Sequence, residues 1–400
     1  MAKKQKPTTT DTQSYAGVAV VAPYHLPYQK RSNKSATWFI GTVLQKLLQQ
    51  GAVAKEEVDG LLVSSFTLAP DSVVSLLEHF SMTVNWLEQL PTGGAGGPLA
   101  LKRAARAIQN GDAEIVACIG ADTANEHSFN ELIENFSSFS AAAVYPYAAA
   151  GPNMVFSMIT QHYMQRYGIS REDCGKLCIA QRGNALAAGT SLFDQPLTMQ
   201  DYLAARPIAE PLHLYDCVMP VAGGDGFLLM SVERAQSLQL PYAEVLAAVE
   251  RHNAFYDDPV HFRGGWLECR DKLYALAGVG PEDMDFLQTY DDYPVISMMQ
   301  MENLGFCEPD ALAEFISNTD FAWDGGGLPH NTCGGQLSAG QAGAAGGFLG
   351  TVEALKQLLQ QGLLNQVPNA KRGMVSGYGM VNFDRCLCTS AVILSRGGQT

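Results

Sequence analysis

GGPLALKRAARAIQNG (96–111) and GGFLGTVEALKQLLQQG (346–362) are one pattern written twice in a single chain. Each opens on paired glycines, spaces its apolar residues as a helix does and closes on glycine, so each predicts a helix whose start lies against closely packed backbone. Outward from them the match continues. Upstream, VAKEEVDGLL (53–62) parallels VGPEDMDFLQ (279–288), an acidic helix start followed by Asp59 or Asp285 and a strand, and an apolar helix follows each, VVSLLEHF (73–80) and VISMMQME (295–302). Downstream come two late apolar strands, EIVACIG (114–120) and GMVSGYG (373–379). With the strand-like AGVAVVA (16–22) and the helical ATWFIGTVLQKLLQQ (36–50), this predicts a duplicated α/β fold. The expected halves are 16–235 and 236–400. The first ends on PLHLYDCVMPVAGGDGFLLMSVERA (211–235), and it contains an aromatic and loop-rich insertion, 122–214, expected to cover a site. Duplication places the N-termini of the paired buried helices on one side, and the site is expected there.

Composition narrows the function. The 400 residues carry 26 basic and 40 acidic side chains, a net charge of −14 that leaves no basic field for a nucleic-acid backbone. No apolar run approaches the ~18 residues of a membrane span, and MAKKQKPTTTDTQS is not followed by the apolar core of a leader. The chain is read as soluble and cytoplasmic, with 1–15 a disordered arm. Charged residues make up only 16% and hydrophobic ones 47%, which predicts a surface covered in part by another chain. The nine cysteines include no metal-type Cys-x-x-Cys pair and are expected to be reduced, mostly buried thiols.

Two glycine-rich turns, TGGAGG (92–97) and GGQLSAGQAGAAGG (334–347), can aim backbone N–H groups at an anion or a developing oxyanion, or can simply permit close helix packing. Neither has phosphate-loop or dinucleotide-fold spacing. The first holds no Cys, Ser or Lys, with only Thr92 at its start, so covalent catalysis from it is not expected. The second offers Ser338 and Gln341, hydrogen-bonding groups without a base. TYDDYP (289–294) is richer: two phenols and two carboxylates stand between a strand and a helix, as acid/base groups or as an acidic helix cap with Asp291 or Asp292 at the N-cap. The first repeat has SSFTLAPDS there, so the cluster is an asymmetry between the halves. His330 and Cys333 in LPHNTCGG, and a His213–Asp216 pair, are thinner candidates.

Taken together, these segments resemble the thiolase superfamily, in its sterol-carrier-protein-type branch, from about residue 16 to 395. The resemblance implies a duplicated five-layer αβαβα fold with a loop domain at 122–214, a tight homodimer and an acyl-CoA thioester ligand, with coenzyme A only as part of the substrate, no bound cofactor and no metal. It also implies a loss. The acyl-accepting cysteine of working thiolases falls on Gly94, the histidine of their Gly-His-Pro turn on Gln341 with Ala342 for the proline, and their second cysteine on Val375. Their His-Asp-Cys-Phe motif reads Tyr290-Asp291-Asp292-Tyr293. A subgroup with similar losses, the thiolase-like aldolases of steroid side-chain breakdown, cleaves a β-hydroxyacyl-CoA beside an OB-fold, zinc-ribbon partner. Similarity to it implies Tyr290, Asp291, Asp292 and Gln341 as the catalytic set, although a second tyrosine of that subgroup falls on Gln341. Backbone N–H groups near Gly94 and Gly377 are the expected enolate hole, and His330, Gly340 and Tyr378 the expected substrate contacts. The alternatives are a non-catalytic acyl-CoA or lipid-binding scaffold and an acyltransferase with atypical residues, working through Cys333 or a partner's nucleophile.

Overall fold

A computed structural model describes residues 14–124, 151–308, 310–382 and 385–398. The expected arm lies almost wholly outside the described residues, and order is established by Tyr15, a buried ring with the Arg106 guanidinium 3.9 Å from its centroid.

The first repeat supplies β1 (Val18–Gln29), α1 (Ala36–Gln50), β2 (Gly60–Ser64), α2 (Val73–Phe80), β3 (Trp86–Gln89), α3 (Gly96–Asn110) and β4 (Val116–Asp122). A helical stretch follows, α4 (Pro152–Tyr167) and α5 (Arg171–Ala188), then the small hairpin β5 (Pro207–Ala209) and β6 (Leu212–His213), and β7 (Ala222–Ser231). The second repeat supplies β8 (Ala243–His252), β9 (Phe286–Thr289), α6 (Pro294–Asn303), α7 (Gly335–Ala339), α8 (Gly346–Leu358), β10 (Arg372–Asn382) and β11 (Arg385–Arg396).

Among the described residues nine strands form one mixed sheet in the order β3-β2-β4-β7-β1-β8-β11-β10-β9. The order reads from the centre outward as two copies of one arrangement, and the centre is the pairing of equivalent strands, Ala19 with Glu244 and Val20 with Ala243. β1 runs past the expected residue 22 because its antiparallel ladder with β7 continues through two register shifts to Gln29 opposite Ala222. Among the described residues the second half has no strand matching β3. Its place is taken by a single bridge from Leu287 to His330.

Three apolar clusters give the layers. One packs α1 and α2 on the outside of the first half of the sheet; the middle one holds α3 and α8 between the two halves; the third lies outside the second half and takes in α4, α5 and α6. The middle layer explains the paired glycines. A Cβ at Gly97 would stand 2.4 Å from the Gly347 carbonyl oxygen and 2.3 Å from Thr351 Oγ1, and one at Gly347 would stand 2.3 Å from the Gly93 oxygen. The helices cross backbone on backbone, which only glycine allows. All nine cysteines are free. No helix of the described residues is long and apolar enough to cross a membrane.

Candidate active site

β9 delivers Tyr290, and the ladder does not stop there: the Tyr290 N–H donates to the Ser376 carbonyl at 3.1 Å. Gln300 of α6 then locks the residue. Its Nε2 donates to the Tyr290 carbonyl at 2.7 Å, and its Oε1 accepts from the Ser376 hydroxyl at 2.7 Å and from the Tyr290 N–H at 3.3 Å. Gln300 is fully buried, so its fixed amide positions Tyr290 on the scaffold. Sequence reasoning missed it; the one signal was a glutamine among the methionines of VISMMQME.

The fold then separates the two carboxylates. Tyr293, not an aspartate, is the N-cap of α6, with Pro294 in the first turn. Asp291 is instead turned under the neighbouring short helix α7, where Oδ1 accepts from Gln336 N–H at 2.9 Å and Oδ2 from Leu337 N–H at 3.3 Å and from Gln181 Nε2 at 2.7 Å. The expected cap on α6 is thus a cap on another helix. Asp292 points the other way. Its Oδ2 accepts the Tyr290 hydroxyl at 2.8 Å, while Oδ1, out of contact with solvent, has no hydrogen-bond partner. The Tyr290 oxygen also accepts from Gln341 Nε2 at 3.2 Å.

These groups face a cavity of about 540 Å³. Gly93 and Gly94 enter its wall from the first glycine turn, Gln341 and Gly343 from the second, Tyr290, Asp292 and Tyr293 from the end of β9, and Tyr378 and Met380 from β10. Gly94 stands directly against Tyr290: a Cβ there would lie 2.3 Å from the phenol ring and 2.2 Å from the Tyr378 oxygen. The start of α4 closes another side, where Phe156 stacks on Tyr293 with centroids 4.3 Å apart and Asn153 Oδ1 accepts the Tyr293 hydroxyl at 2.6 Å. Asn153, Phe156 and Phe193 had no local pattern to betray them.

Other expected site residues lie elsewhere. Asp291 is behind the wall. Gly377 packs within β10 against the Gly94 oxygen and the Ala95 Cα, and Gly340 ends α7 against Leu192 and Val221. His330 is fully buried beside β9, its Nε2 2.7 Å from Thr289 Oγ1, and burial pulls it down to about 3, so it is neutral. The His213–Asp216 pair does not form through side chains: the Asp216 carboxylate accepts the His213 backbone N–H at 2.8 Å and the Tyr202 hydroxyl, closing a turn.

The wall's electrostatics are one-sided. Among the described residues it carries no Lys, Arg or His, and Asp292 is its one carboxylate. Burial raises Asp292 to about 7, partly offset by the Tyr290 hydrogen bond. Burial first, and then the Asp292 charge, hold the Tyr290 phenol well above the usual tyrosine range. Asp291 is likewise raised to about 7 by burial, against the pull of its N–H donors. The one thiol in the wall, Cys217, is pushed up to about 12 by burial, and Cys333 is buried outside it. Burial raises both thiols, which disfavours them as nucleophiles near neutral pH.

Duplicated halves, a buried helix pair between them and a cavity at their N-termini are the architecture of a thiolase fold. Residues 249–395 match the family model Thiolase C-terminal domain-like. Within that class the chain is similar to thiolase-like aldolases. It is 27% identical over 332 residues to the steroid side-chain-cleaving aldolase of Thermomonospora curvata, covering 78% of this chain and 83% of that one. It is also 27% identical over 358 residues to the 17-hydroxy-3-oxo-4-pregnene-20-carboxyl-CoA lyase of Mycobacterium tuberculosis, covering 85% and 91%. In three dimensions it matches the Ltp2-ChsH2(DUF35) aldolase with a TM-score of 0.81 at 25% identity, over 96% of this chain and 98% of that one.

Proposed function

We propose that this chain is a carbon–carbon lyase that cleaves a bulky β-hydroxyacyl-CoA by a retro-aldol step. One observation carries the reading: the Tyr290 hydroxyl stands on the wall of a large, mainly apolar cavity against Gly94, where a thiolase would present its nucleophile. Retro-aldol cleavage needs no acyl-enzyme. It needs a group to take the β-hydroxyl proton and donors to hold the thioester enolate. Tyr290 takes the first role. The glycine turn at Gly94, just before the N-terminus of α3 and in the cavity wall, suits the second. Gln341 orients the phenol. The cavity's rings, Phe156, Tyr293, Phe193 and Phe66, suit a large apolar acyl group, and coenzyme A enters only as part of the substrate.

The same reading includes a homodimer and a second protein carrying an OB-fold and zinc ribbon, in line with the two-component aldolase that the fold matches. It treats 122–214, of which 125–150 lie outside the described residues, as an insertion within a first half of 16–235, beside a second half of 236–400. Replacing Tyr290 by Phe is expected to lower cleavage of a β-hydroxyacyl-CoA by about 10²–10⁴-fold with the fold intact. An unchanged rate would remove Tyr290 from the chemistry.

A further inference from the structure

Tyr290 cannot be where the substrate's proton comes to rest. Its phenol is held well above the usual tyrosine range, so near neutrality it has no vacancy for a proton unless it passes its own along. Tyr293 is raised in the same way and Cys217 stands at about 12. Gln341 and Asn153 do not titrate.

We propose that Asp292 is the terminal proton acceptor of the cleavage, reached through the Tyr290 hydroxyl. The inference rests on the lyase reading above and adds a second group to it. Its geometry is already in place: the Tyr290 hydroxyl donates to Asp292 Oδ2 at 2.8 Å and accepts from Gln341 Nε2 at 3.2 Å. A phenol oxygen so engaged keeps a further acceptor position for a substrate hydroxyl in the cavity. The line runs from substrate O–H to Tyr290 Oη to Asp292 Oδ2. The unpartnered Asp292 Oδ1 makes the carboxylate a better proton acceptor, because Tyr290 is the one donor that supports its charge and none reaches Oδ1 among the described residues.

The step balances. The β-hydroxyl proton moves to Tyr290 Oη as the Tyr290 proton moves to Asp292 Oδ2. The O–H electron pair forms the new C=O bond, and the Cα–Cβ bond breaks with its pair held as the thioester enolate. The proton then returns from Asp292 through Tyr290 to the α-carbon. A carbonyl compound and a shortened acyl-CoA leave, and no oxidant, reductant or net proton is required. Asp291 cannot replace Asp292, since both its oxygens are occupied by donors behind the wall.

The titratable groups around Asp292 are Tyr290, Asp291 and Tyr293 of its own segment, Cys217 across the cavity and Tyr378 of β10, with no cation in the wall among the described residues. The rate of the full chain with its partner should therefore rise with pH through one inflection near pH 7, the value to which burial brings Asp292. Asp292→Asn is expected to lose that inflection and about 10²-fold or more in kcat, with KM little changed, and Asp292→Glu to restore the inflection in part. A residue that merely shaped the site would lower the rate and leave the inflection. The relay is overturned if Asp292→Asn keeps the inflection, or if the wild type shows none, a result independent of any variant's folding. Loss in Tyr290→Phe with full activity in Asp292→Asn would sink the relay alone. An unchanged Tyr290→Phe would sink the lyase assignment beneath it.

Discussion

On the proposed lyase reading Gly94 stands where a thiolase presents its nucleophile, and the space there leaves no room for a restored thiol. A Cβ at that position would overlap the Tyr290 ring and the Tyr378 oxygen, both within 2.3 Å. Gly94→Cys is therefore expected to destabilise the protein by about 1–3 kcal/mol through overpacking and to give no labelled acyl-enzyme by mass spectrometry. A stable, acylated variant would mean that the phenol is free to move aside. Asp292 makes a second prediction, with a sign set by its pKa. Its folded value, about 7, lies above the ordinary carboxyl value of 3.8, so its contribution to stability is full below pH 4 and is lost as pH rises through 7. Asp292→Asn should thus raise the thermal midpoint relative to wild type at pH 8 while lowering turnover; a lower midpoint at pH 8 would contradict a charged, poorly supported carboxylate. The sequence marked Tyr290 and both aspartates, because four polar residues at a strand-to-helix junction break the repeat. It could not show that the aspartates part company, since which carboxylate faces the cavity depends on α7, a helix that begins more than forty residues later.

At the scale of elements, the two glycine-opened helices determine the rest. α3 and α8 meet at Gly97 and Gly347, and any side chain at Gly97 meets the carbonyl of Gly347 at 2.4 Å. Gly97→Ala should cost about 1–3 kcal/mol in chemical denaturation, and a value near zero would show that the pair has room. α7 depends on Asp291 in a different way. Asp291→Ala leaves the buried N–H groups of Gln336 and Leu337 without an acceptor, an expected loss on the order of 3 kcal/mol measured the same way. The repeats were legible as elements because each carries its own periodicity and its own stop: α2 spans residues 73–80 and α1 residues 36–50, the bounds read from spacing alone. The extension of β1 to Gln29 was not, since it follows from pairing with β7, a strand distant in sequence.

For the molecule as a whole, duplication makes a scaffold of two like halves and leaves the chemistry to what differs between them. The cavity draws on the first glycine turn, the second glycine turn, the end of β9 and the covering segment before β7. The first three were visible as motifs. The covering residues Asn153, Phe156 and Phe193 were not, because an apolar ring on a helix looks the same whether it packs into a core or faces a substrate. If the surface implied by the low charge is a partner's, purification from the native host should bring down an OB-fold, zinc-ribbon protein in stoichiometric amount; isolation of the chain alone under gentle conditions would argue against it. On the proposed function, Tyr290, opposite a glycine instead of a thiol, makes this thiolase fold a lyase. Product analysis of a β-hydroxyacyl-CoA incubated with the chain and its partner tests it most directly, comparing wild type with Tyr290→Phe. A carbonyl compound and a shortened acyl-CoA are expected in equal amounts from the wild type, with a loss of about 10²–10⁴-fold in the variant; equal turnover by the two proteins would contradict a lyase built on Tyr290.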